Sequence, residues 1–251
     1  MGDLAVEAGE RLAHARRANQ LIAALTEDEV PDIAAAYAVQ RAAIAAWPQE
    51  PIGWKIGATS AEVQARLKAP GPFYGPIFAA HSHPSGTAVA GAAGLRGVEV
   101  ELAFRLGRDL PARNGGWSVE EVADAMAGLY LALEFVATRQ EGGLEGRRAI
   151  ADFGLNHAFV HGPAVEGWRD LDLAAIHAAV LVDGHKRAEG DAAVVLGSPL
   201  KALAWLADNG PGLRAGQWIS TGTLTGLLAL PEPCVVTGDF GRLGQVSAQL
   251  T

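Results

Sequence analysis

The segment from Gly97 to Phe104 alternates apolar and acidic side chains, and this pattern constrains the fold more than any other part of the sequence. A period of two is typical of a β-strand, where residues i and i+2 share a face, so Glu99 and Glu101 lie side by side. Adjacent carboxylates repel each other and cost free energy when they leave water. The pair is therefore either the solvated face of an amphipathic strand or part of a site for Mg²⁺, Mn²⁺ or Ca²⁺, which prefer oxygen ligands. Considered alone, the segment favours the solvated face.

The composition excludes several classes of protein. The chain has 251 residues, of which 49% are hydrophobic, which suits one large domain or a domain with a small lobe. Its formal net charge of −8 and the lack of a basic run argue against binding to nucleic acid or to an anionic membrane. The single cysteine, Cys234, excludes a disulfide framework within the chain. With no signal peptide and no membrane-spanning apolar segment, we expect a soluble cytoplasmic protein.

The distribution of glycine divides the chain in two. Residues 10–50 contain none of the 31 glycines, which are concentrated after residue 50. The sequence predicts a helical N-terminal lobe over residues 1–50, with helices within residues 4–24 and 33–47, and a β-rich catalytic body over residues 51–251. Because two helices cannot bury their apolar faces alone, the lobe must dock on the body or on a neighbouring subunit.

The body is predicted to consist mainly of short strands. These strands cover residues 51–59, 129–136, 157–161, 180–182, 185–188, 217–220, 227–230, 234–237 and 245–250. Helices are predicted after the capping residues Ser60, Ser118 and Ser198, and an ordered loop is predicted over the proline-rich residues 69–78. Residues 171–179 fit either a strand or a short helix. This pattern favours a mixed α/β fold of rolled or barrel-like β-sheets over a doubly wound parallel sheet.

Glu134 is the third acidic residue of interest, because it interrupts an apolar strand. A buried carboxylate needs a partner, and Arg139 is the nearest candidate for a salt bridge. The alternative is that Glu134 joins Glu99 and Glu101 in a three-carboxylate metal site, which leaves coordination positions for water and a chelating substrate. We prefer the metal site of these two interpretations.

Two other segments carry groups of chemical interest. Lys55 lies between apolar neighbours, so either its pKa is lowered and it transfers protons, or its stem is buried and its amine reaches solvent. The spacing does not distinguish these alternatives. Ser220-Thr221-Gly222-Thr223 surrounds a glycine with hydroxyl groups, which together with the backbone either donate to a carboxylate or belong to an ordinary glycine turn.

Several motifs match one known family in their order and spacing. They are AYAVQ at 36–40, GWKIG at 53–57 with Thr59, FYGP at 73–76, VEVELAF at 98–104, the Glu134 strand with Arg139, IAD at 150–152, and the segments 196–206 and 215–223. In these motifs the chain resembles the 2-keto-4-pentenoate hydratase family of the fumarylacetoacetate hydrolase superfamily. The resemblance implies rolled mixed β-sheets with a helical N-terminal lobe, and a homo-oligomer.

The resemblance also implies a chemistry for the site. It implies Mg²⁺ or Mn²⁺ held by Glu99, Glu101 and Glu134, with Lys55 in proton transfer and Thr221-Gly222-Thr223 near the substrate carboxylate. The implied activity is that of a lyase, a hydratase that adds water to a 2-hydroxy-alkadienoate or 2-oxo-alkenoate in the catabolism of aromatic or related compounds. A metal-stabilised enolate would also serve a 2-oxo acid decarboxylase or an acylpyruvate C–C hydrolase.

Some residues bear on the alternatives to a hydratase, and others differ from the motifs of the family. The lack of a His-x-x-Glu pair weighs against the hydrolase, and a non-catalytic partner subunit is a third alternative. Phe73 replaces an acidic residue of the hydratases, and Asp152-Phe153-Gly154-Leu155 replaces Asp-Asn-Ala-Ser. We expect Phe73, Leu155 and Arg139 to contact the substrate. Either the substrate carries a more hydrophobic tail, or the water-activating step is lost or performed differently.

Overall fold

The computed structural model describes residues 2–142, 145–231 and 233–251. The α-helices are α1 (Asp3–Ala18), α2 (Ile33–Ala45), α3 (Ala61–Leu67), α4 (Val119–Ala125), α5 (Gly146–Ala151) and α6 (Pro199–Asn209). The strands are β1 (Gly53–Gly57), β2 (Phe73–Ile77), β3 (Ser82–Pro84), β4 (Thr87–Val89), β5 (Leu95–Leu106), β6 (Met126–Ala137), β7 (Asn156–Ala164), β8 (His177–Val182), β9 (His185–Asp191), β10 (Trp218–Thr223), β11 (Cys234–Asp239) and β12 (Gln245–Leu250). Within these residues, no helix is both long and apolar enough to span a membrane.

The strands form two mixed sheets. The seven-stranded sheet has the order β2-β1-β10-β5-β6-β7-β3, and the five-stranded sheet has the order β4-β12-β11-β8-β9. Three pairs are parallel, namely β1 with β10, β3 with β7 and β4 with β12, and the other pairs are antiparallel. The predicted mixed α/β fold is confirmed.

The main hydrophobic core involves both sheets. Val98, Val100, Leu102 and Phe104 of β5 are fully buried in it, together with residues of β8, β11 and β12 such as Val180, Val236 and Val246. Because side chains alternate along a strand, this arrangement directs Glu99 and Glu101 to the other face of β5. The predicted alternation of apolar residues therefore places both carboxylates on the face of β5 opposite the hydrophobic core.

The N-terminal helices pack on the body of the same chain. Leu12 of α1 and Val39 of α2 share a second core with Phe78, Ile150 and Phe153. This packing buries the apolar faces that the two helices could not bury by themselves. The division of the chain at residue 50 stays a prediction, since the helices and the body contribute to one core.

Some elements differ from the predictions. Helix α1 ends at Ala18 rather than near residue 24, because Asn19 adopts a left-handed conformation with a φ of 49°. The predicted loop over residues 69–78 contains β2, which tolerates Pro76 because it lies at the edge of its sheet. The predicted strand at residues 227–230 is reduced to a single bridge between Leu228 and Val98, since it is confined between Gly226, with a φ of 77°, and a proline. Residues 171–179 form a short 3₁₀ helix followed by the start of β8.

Candidate active site

Four neighbouring strands bring the predicted acidic residues and the lysine together. In the antiparallel pair of β5 and β6, Glu99 lies opposite Glu134. On the other side of β5, β10 places Thr223 opposite Glu101, and β1 follows with Lys55 next to Ser220. Residues that are far apart in the sequence thus meet on adjacent strands of one sheet.

Glu99, Glu101 and Glu134 form a compact group. One carboxylate oxygen from each residue lies within 4.8 Å of the others, as one divalent ion would require. Glu101 is 0% exposed and Glu134 is 1% exposed, while Glu99 is half-buried. The solvated strand face that the segment suggested when considered alone is therefore wrong, because Glu101 has no exposed surface and Glu99 is only partly exposed.

Hydrogen bonds fix one oxygen of each buried carboxylate and leave the other oxygen without a hydrogen bond from the part of the chain that the structure describes. Glu101 Oε2 accepts from the Ser220 hydroxyl at 2.5 Å and from the Gly222 amide at 3.0 Å, and Glu134 Oε1 accepts from Asn156 Nδ2 at 3.1 Å. Within the described residues, Glu101 Oε1 and Glu134 Oε2 are buried without a hydrogen bond. A buried carboxylate oxygen without a hydrogen bond carries an uncompensated desolvation free energy, so this set of oxygen donors fits a divalent cation.

The Lys55 ammonium is the cation that balances part of this charge. It lies 3.3 Å from Glu134 Oε2 and is 3% exposed, so the alternative of an amine that reaches solvent is wrong. Burial lowers the pKa of Lys55, but Glu134, Glu99 and Glu101 outweigh it and raise that pKa above its usual value. The predicted lowered pKa is therefore wrong, because the sequence does not show which carboxylates surround the amine.

Burial also makes the three carboxylates harder to ionise in the metal-free protein. Burial raises the pKa of Glu99 to about 7, and burial likewise raises the pKa values of Glu101 and Glu134. Fully ionised, three carboxylates and one ammonium carry two excess negative charges. A divalent cation would neutralise that excess.

Arg139 pairs with a different carboxylate from the one considered in the sequence. Its Nε lies 2.5 Å from Asp152, Nη2 donates to the Asp152 carbonyl, and Nη1 donates to the Asn156 carbonyl. The salt bridge to Glu134 is therefore wrong, since Lys55 takes that place. The donors of Arg139 are occupied within the protein, and its contact with a substrate stays a prediction.

The C-terminal end of β10, where the pairing with β5 shifts register between Ser220 and Thr223, holds Glu101. The hydroxyl of Thr221 donates to the Leu102 carbonyl, and that of Thr223 donates to the Gly226 carbonyl. Gly222 has a φ of 111°, and a Cβ there would lie 2.5 Å from Thr59 Oγ1. A glycine is thus required for the amide to reach Glu101, while a role of this segment in substrate binding stays a prediction.

The two apolar positions that depart from the family pattern are both buried. The Phe73 ring centre lies 5.6 Å from Lys55 Nζ, so this ring covers the amine. Leu155 ends a left-handed turn in which Phe153, Gly154 and Leu155 have φ values of 53°, 61° and 65°. The turn leads directly into Asn156. That both residues contact a substrate stays a prediction.

The prediction from the sequence missed one group that holds the carboxylates, Asn156. Ser220 was among the hydroxyl residues expected to donate to a carboxylate, and the carboxylate that it contacts is that of Glu101. Asn156 follows the Asp152–Leu155 segment and has no local pattern of its own. Only the pairing of β6 with β7 shows that it reaches Glu134.

The chain is similar to a known protein family and to several individual proteins. The family model for the fumarylacetoacetate (FAA) hydrolase C-terminal region matches residues 36–246. The chain belongs to this family. Within the fumarylacetoacetate hydrolase family, it is 32% identical over 251 residues to a 2-keto-4-pentenoate hydratase of Paraburkholderia phymatum, which covers 96% of this chain and 95% of the relative. A 2-keto-4-pentenoate hydratase of Burkholderia vietnamiensis is 33% identical over 80% of this chain and 78% of its own length.

Two solved structures share the fold of this chain. The 4-oxalocrotonate decarboxylase from Pseudomonas putida G7, complexed with calcium and acetate, superposes with a TM-score of 0.90 at 24% identity, covering 100% of this chain and 98% of that one. Fumarylpyruvate hydrolase from Pseudomonas aeruginosa, in complex with Mn²⁺ and pyruvate, has a TM-score of 0.63 at 19% identity, covering 79% of this chain and 88% of that one. At these identities the likeness shows the shared architecture alone.

Proposed function

We propose that this protein is a hydratase, dependent on Mg²⁺ or Mn²⁺, that adds water to a 2-hydroxy-alkadienoate or its 2-oxo-alkenoate tautomer. The observation that carries the proposal is the cluster of Glu99, Glu101 and Glu134, in which Glu101 Oε1 and Glu134 Oε2 are buried without a hydrogen bond from the described residues and Lys55 places one ammonium beside three carboxylates. The hydratases that match most of the chain support hydration as the reaction. We further propose a homo-oligomer, as the resemblance implies.

The protein's own residues divide the work as follows. Glu99, Glu101 and Glu134 would hold the ion, while Ser220 and Asn156 keep one oxygen of each buried carboxylate occupied. When bound, the ion supplies Lewis-acid stabilisation for negative charge on the C2 oxygen of the substrate.

Lys55 is the group that can move a proton in this site. Because the pKa of Lys55 is raised, Nζ is protonated at neutral pH and can act as a general acid before substrate reacts. Ketonisation of the dienol needs a proton at the far carbon of the diene, and subsequent addition of water needs one at C3. Nζ can supply either proton and recover it from water or from the C2 hydroxyl. The Phe73 ring limits the access of bulk water to that ammonium.

The buried rings and alkyl groups near the site suggest the nature of the substrate tail. Phe73 and Leu155 are nearly fully buried and apolar. We therefore propose that the tail of the substrate is an alkyl group rather than a second carboxylate, since an unpaired carboxylate would be desolvated against these side chains.

The test is turnover of 2-hydroxy-alkadienoates by the purified protein, followed by loss of the dienol absorbance and by product mass. We expect a gain of one water, loss of activity with EDTA and its recovery with Mg²⁺ or Mn²⁺. Glu101→Gln should abolish turnover, and Glu120→Gln, at an exposed position on α4, is the matched control. Turnover that ignores both EDTA and Glu101→Gln would refute the proposal. Loss of CO₂ indicates a decarboxylase, cleavage in two indicates a hydrolase, and metal binding without turnover indicates a partner subunit.

A further inference from the structure

Asn156 connects the candidate metal centre to the N-terminal helix. Its side chain donates to Glu134 Oε1, and it is 1% exposed. Its backbone carbonyl accepts from two guanidinium groups, Arg16 at 2.8 Å and Arg139 at 2.9 Å. Two cations thus converge on the backbone of the residue that orients a proposed metal ligand.

Arg16 is an unusual residue to find in this position. It lies on α1, is 7% exposed, and also donates to the His157 carbonyl at 2.9 Å. Among the residues that the structure describes, no carboxylate lies within ion-pair distance of it, whereas Arg139 is paired with Asp152. A buried cation without an ion pair carries a desolvation cost, so its retention needs a reason.

Aromatic rings make the burial of this cation possible. The guanidinium carbon of Arg16 lies 5.4, 5.2 and 5.0 Å from the ring centres of Trp47, Phe78 and Phe153. Ring faces attract a cation, and the attraction grows when water is excluded. The rings offset part of the desolvation free energy of the guanidinium and orient it towards the carbonyls of Asn156 and His157.

The chain just before Asn156 explains why its backbone needs to be held. Phe153, Gly154 and Leu155 all have positive φ values, which are unfavourable for the two residues that carry a Cβ. A strained turn can relax by shifting the residue that follows it. The two guanidinium groups oppose that shift, because each is anchored elsewhere, Arg139 on Asp152 and Arg16 among the rings.

We propose that Arg16 and Asn156 are positioning residues of the metal centre. Arg16 fixes the backbone of Asn156, and the Asn156 amide donates to Oε1 of Glu134. Oε2, which accepts no hydrogen bond from the described part of the chain and lies 3.3 Å from Lys55 Nζ, would then remain available to the ion. This inference rests on the proposed function, because it assumes that Glu134 is a metal ligand. It also gives the N-terminal helix a part in building the site, although that helix contributes no ligand.

The experiment measures Mn²⁺ binding by titration calorimetry, with Mn²⁺ electron paramagnetic resonance as a second readout. The variants are Asn156→Ala and Arg16→Lys, which keeps the charge but loses the planar fork. The matched control is Arg17→Lys, the same change at the next residue, where the exposed guanidinium donates to the Ala46 carbonyl. In each titration the stoichiometry measures the fraction of protein that is folded, and the dissociation constant measures the affinity of the site for Mn²⁺.

We expect Asn156→Ala to raise the Mn²⁺ dissociation constant by about 10–100-fold, and Arg16→Lys by about 10-fold, with an altered resonance line shape in both. Arg17→Lys should stay within about twofold of the parent. Parent-like dissociation constants in both Asn156→Ala and Arg16→Lys would overturn the inference. If Arg16→Lys does not fold, Arg16→Gln, which keeps an N–H donor without the buried charge, tests Arg16 in its place, and a parent-like dissociation constant would overturn its role. Asn156→Ala tests the contact with Glu134 separately, because it leaves the aromatic cluster intact. Absence of Mn²⁺ binding to the parent would instead refute the proposed metal site.

Discussion

Protons and the metal ion should compete for the same carboxylates. A carboxylate must lose its proton before it can ligate, and burial raises the pKa of Glu99 to about 7. In the metal-free protein, a raised carboxylate pKa means that the folded state binds the proton more tightly than the unfolded state. Stability of the metal-free form should therefore fall as the pH rises towards 7, while metal affinity should rise over the same range.

The size of the effect follows from the fraction of ionised Glu99. With a pKa of about 7, this fraction is roughly nine-tenths at pH 8 and roughly one-tenth at pH 6. The apparent dissociation constant for Mn²⁺ should therefore rise by about tenfold between these pH values. This tenfold change is a lower limit, because burial also raises the pKa values of Glu101 and Glu134.

Calorimetric titration at both pH values, in buffers of different ionisation enthalpy, measures the dissociation constant and the protons released together. Glu99→Gln should reduce the number of protons released, because the amide has none to lose. Glu120→Gln should leave that number unchanged, because Glu120 is exposed on α4. A Mn²⁺ dissociation constant that is the same at both pH values, with no proton release, would refute the reasoning.

Three further variants test how the site is built. Gly222→Ala should lower the unfolding free energy by about 2–5 kcal/mol in urea titrations, because of its positive φ and its clash with Thr59. Adding Thr59→Ala should recover part of that loss, and full stability of Gly222→Ala would contradict the close approach. Ser220→Ala should raise the Mn²⁺ dissociation constant by about tenfold, and an unchanged constant would count against its role at Glu101. Gly75→Ala should lower the melting temperature by about 2–12 °C in thermal circular dichroism, since a Cβ would lie 2.1 Å from the Phe153 carbonyl oxygen; an unchanged melting temperature would argue against this contact.

Local patterns were sufficient to predict many of the elements. The cap predicted at Ser118 forms at the start of α4, where Glu121 completes a capping box. The strands predicted over residues 180–182 and 185–188 form as well, joined by a turn at Asp183 and Gly184 that has the positive φ values such a hairpin requires. These features depend on residues within a few positions of each other, so the sequence shows all of the interacting groups.

The grouping of Glu99, Glu101 and Glu134 was predictable for a related reason. Acidic residues within apolar strands are unusual, and their number and type suggested a common partner. Their confirmed proximity arises from the pairing of β5 with β6.

The features that the sequence could not predict depend on contacts between residues far apart in the chain. The pKa of Lys55 depends on three carboxylates from two other strands, and the choice of Asp152 by Arg139 depends on the turn before β7. The contact of Arg16 with Asn156 joins a surface-type residue in an amphipathic helix to a residue 140 positions away. None of these contacts has a spacing that a sequence pattern could report.

The parallel pairing of β1 with β10 sets the order in which the site can assemble during synthesis. In the sheet, β10 lies between β1, which carries Lys55, and β5, which carries Glu99 and Glu101. Until β10 has left the ribosome, β1 has no strand that joins it to β5. At about 5–20 residues per second, Lys55 waits on the order of ten seconds for Ser220. The carboxylates of β5 and β6 can pair earlier, so the nascent chain passes through a stage with three acidic groups and no lysine beside them.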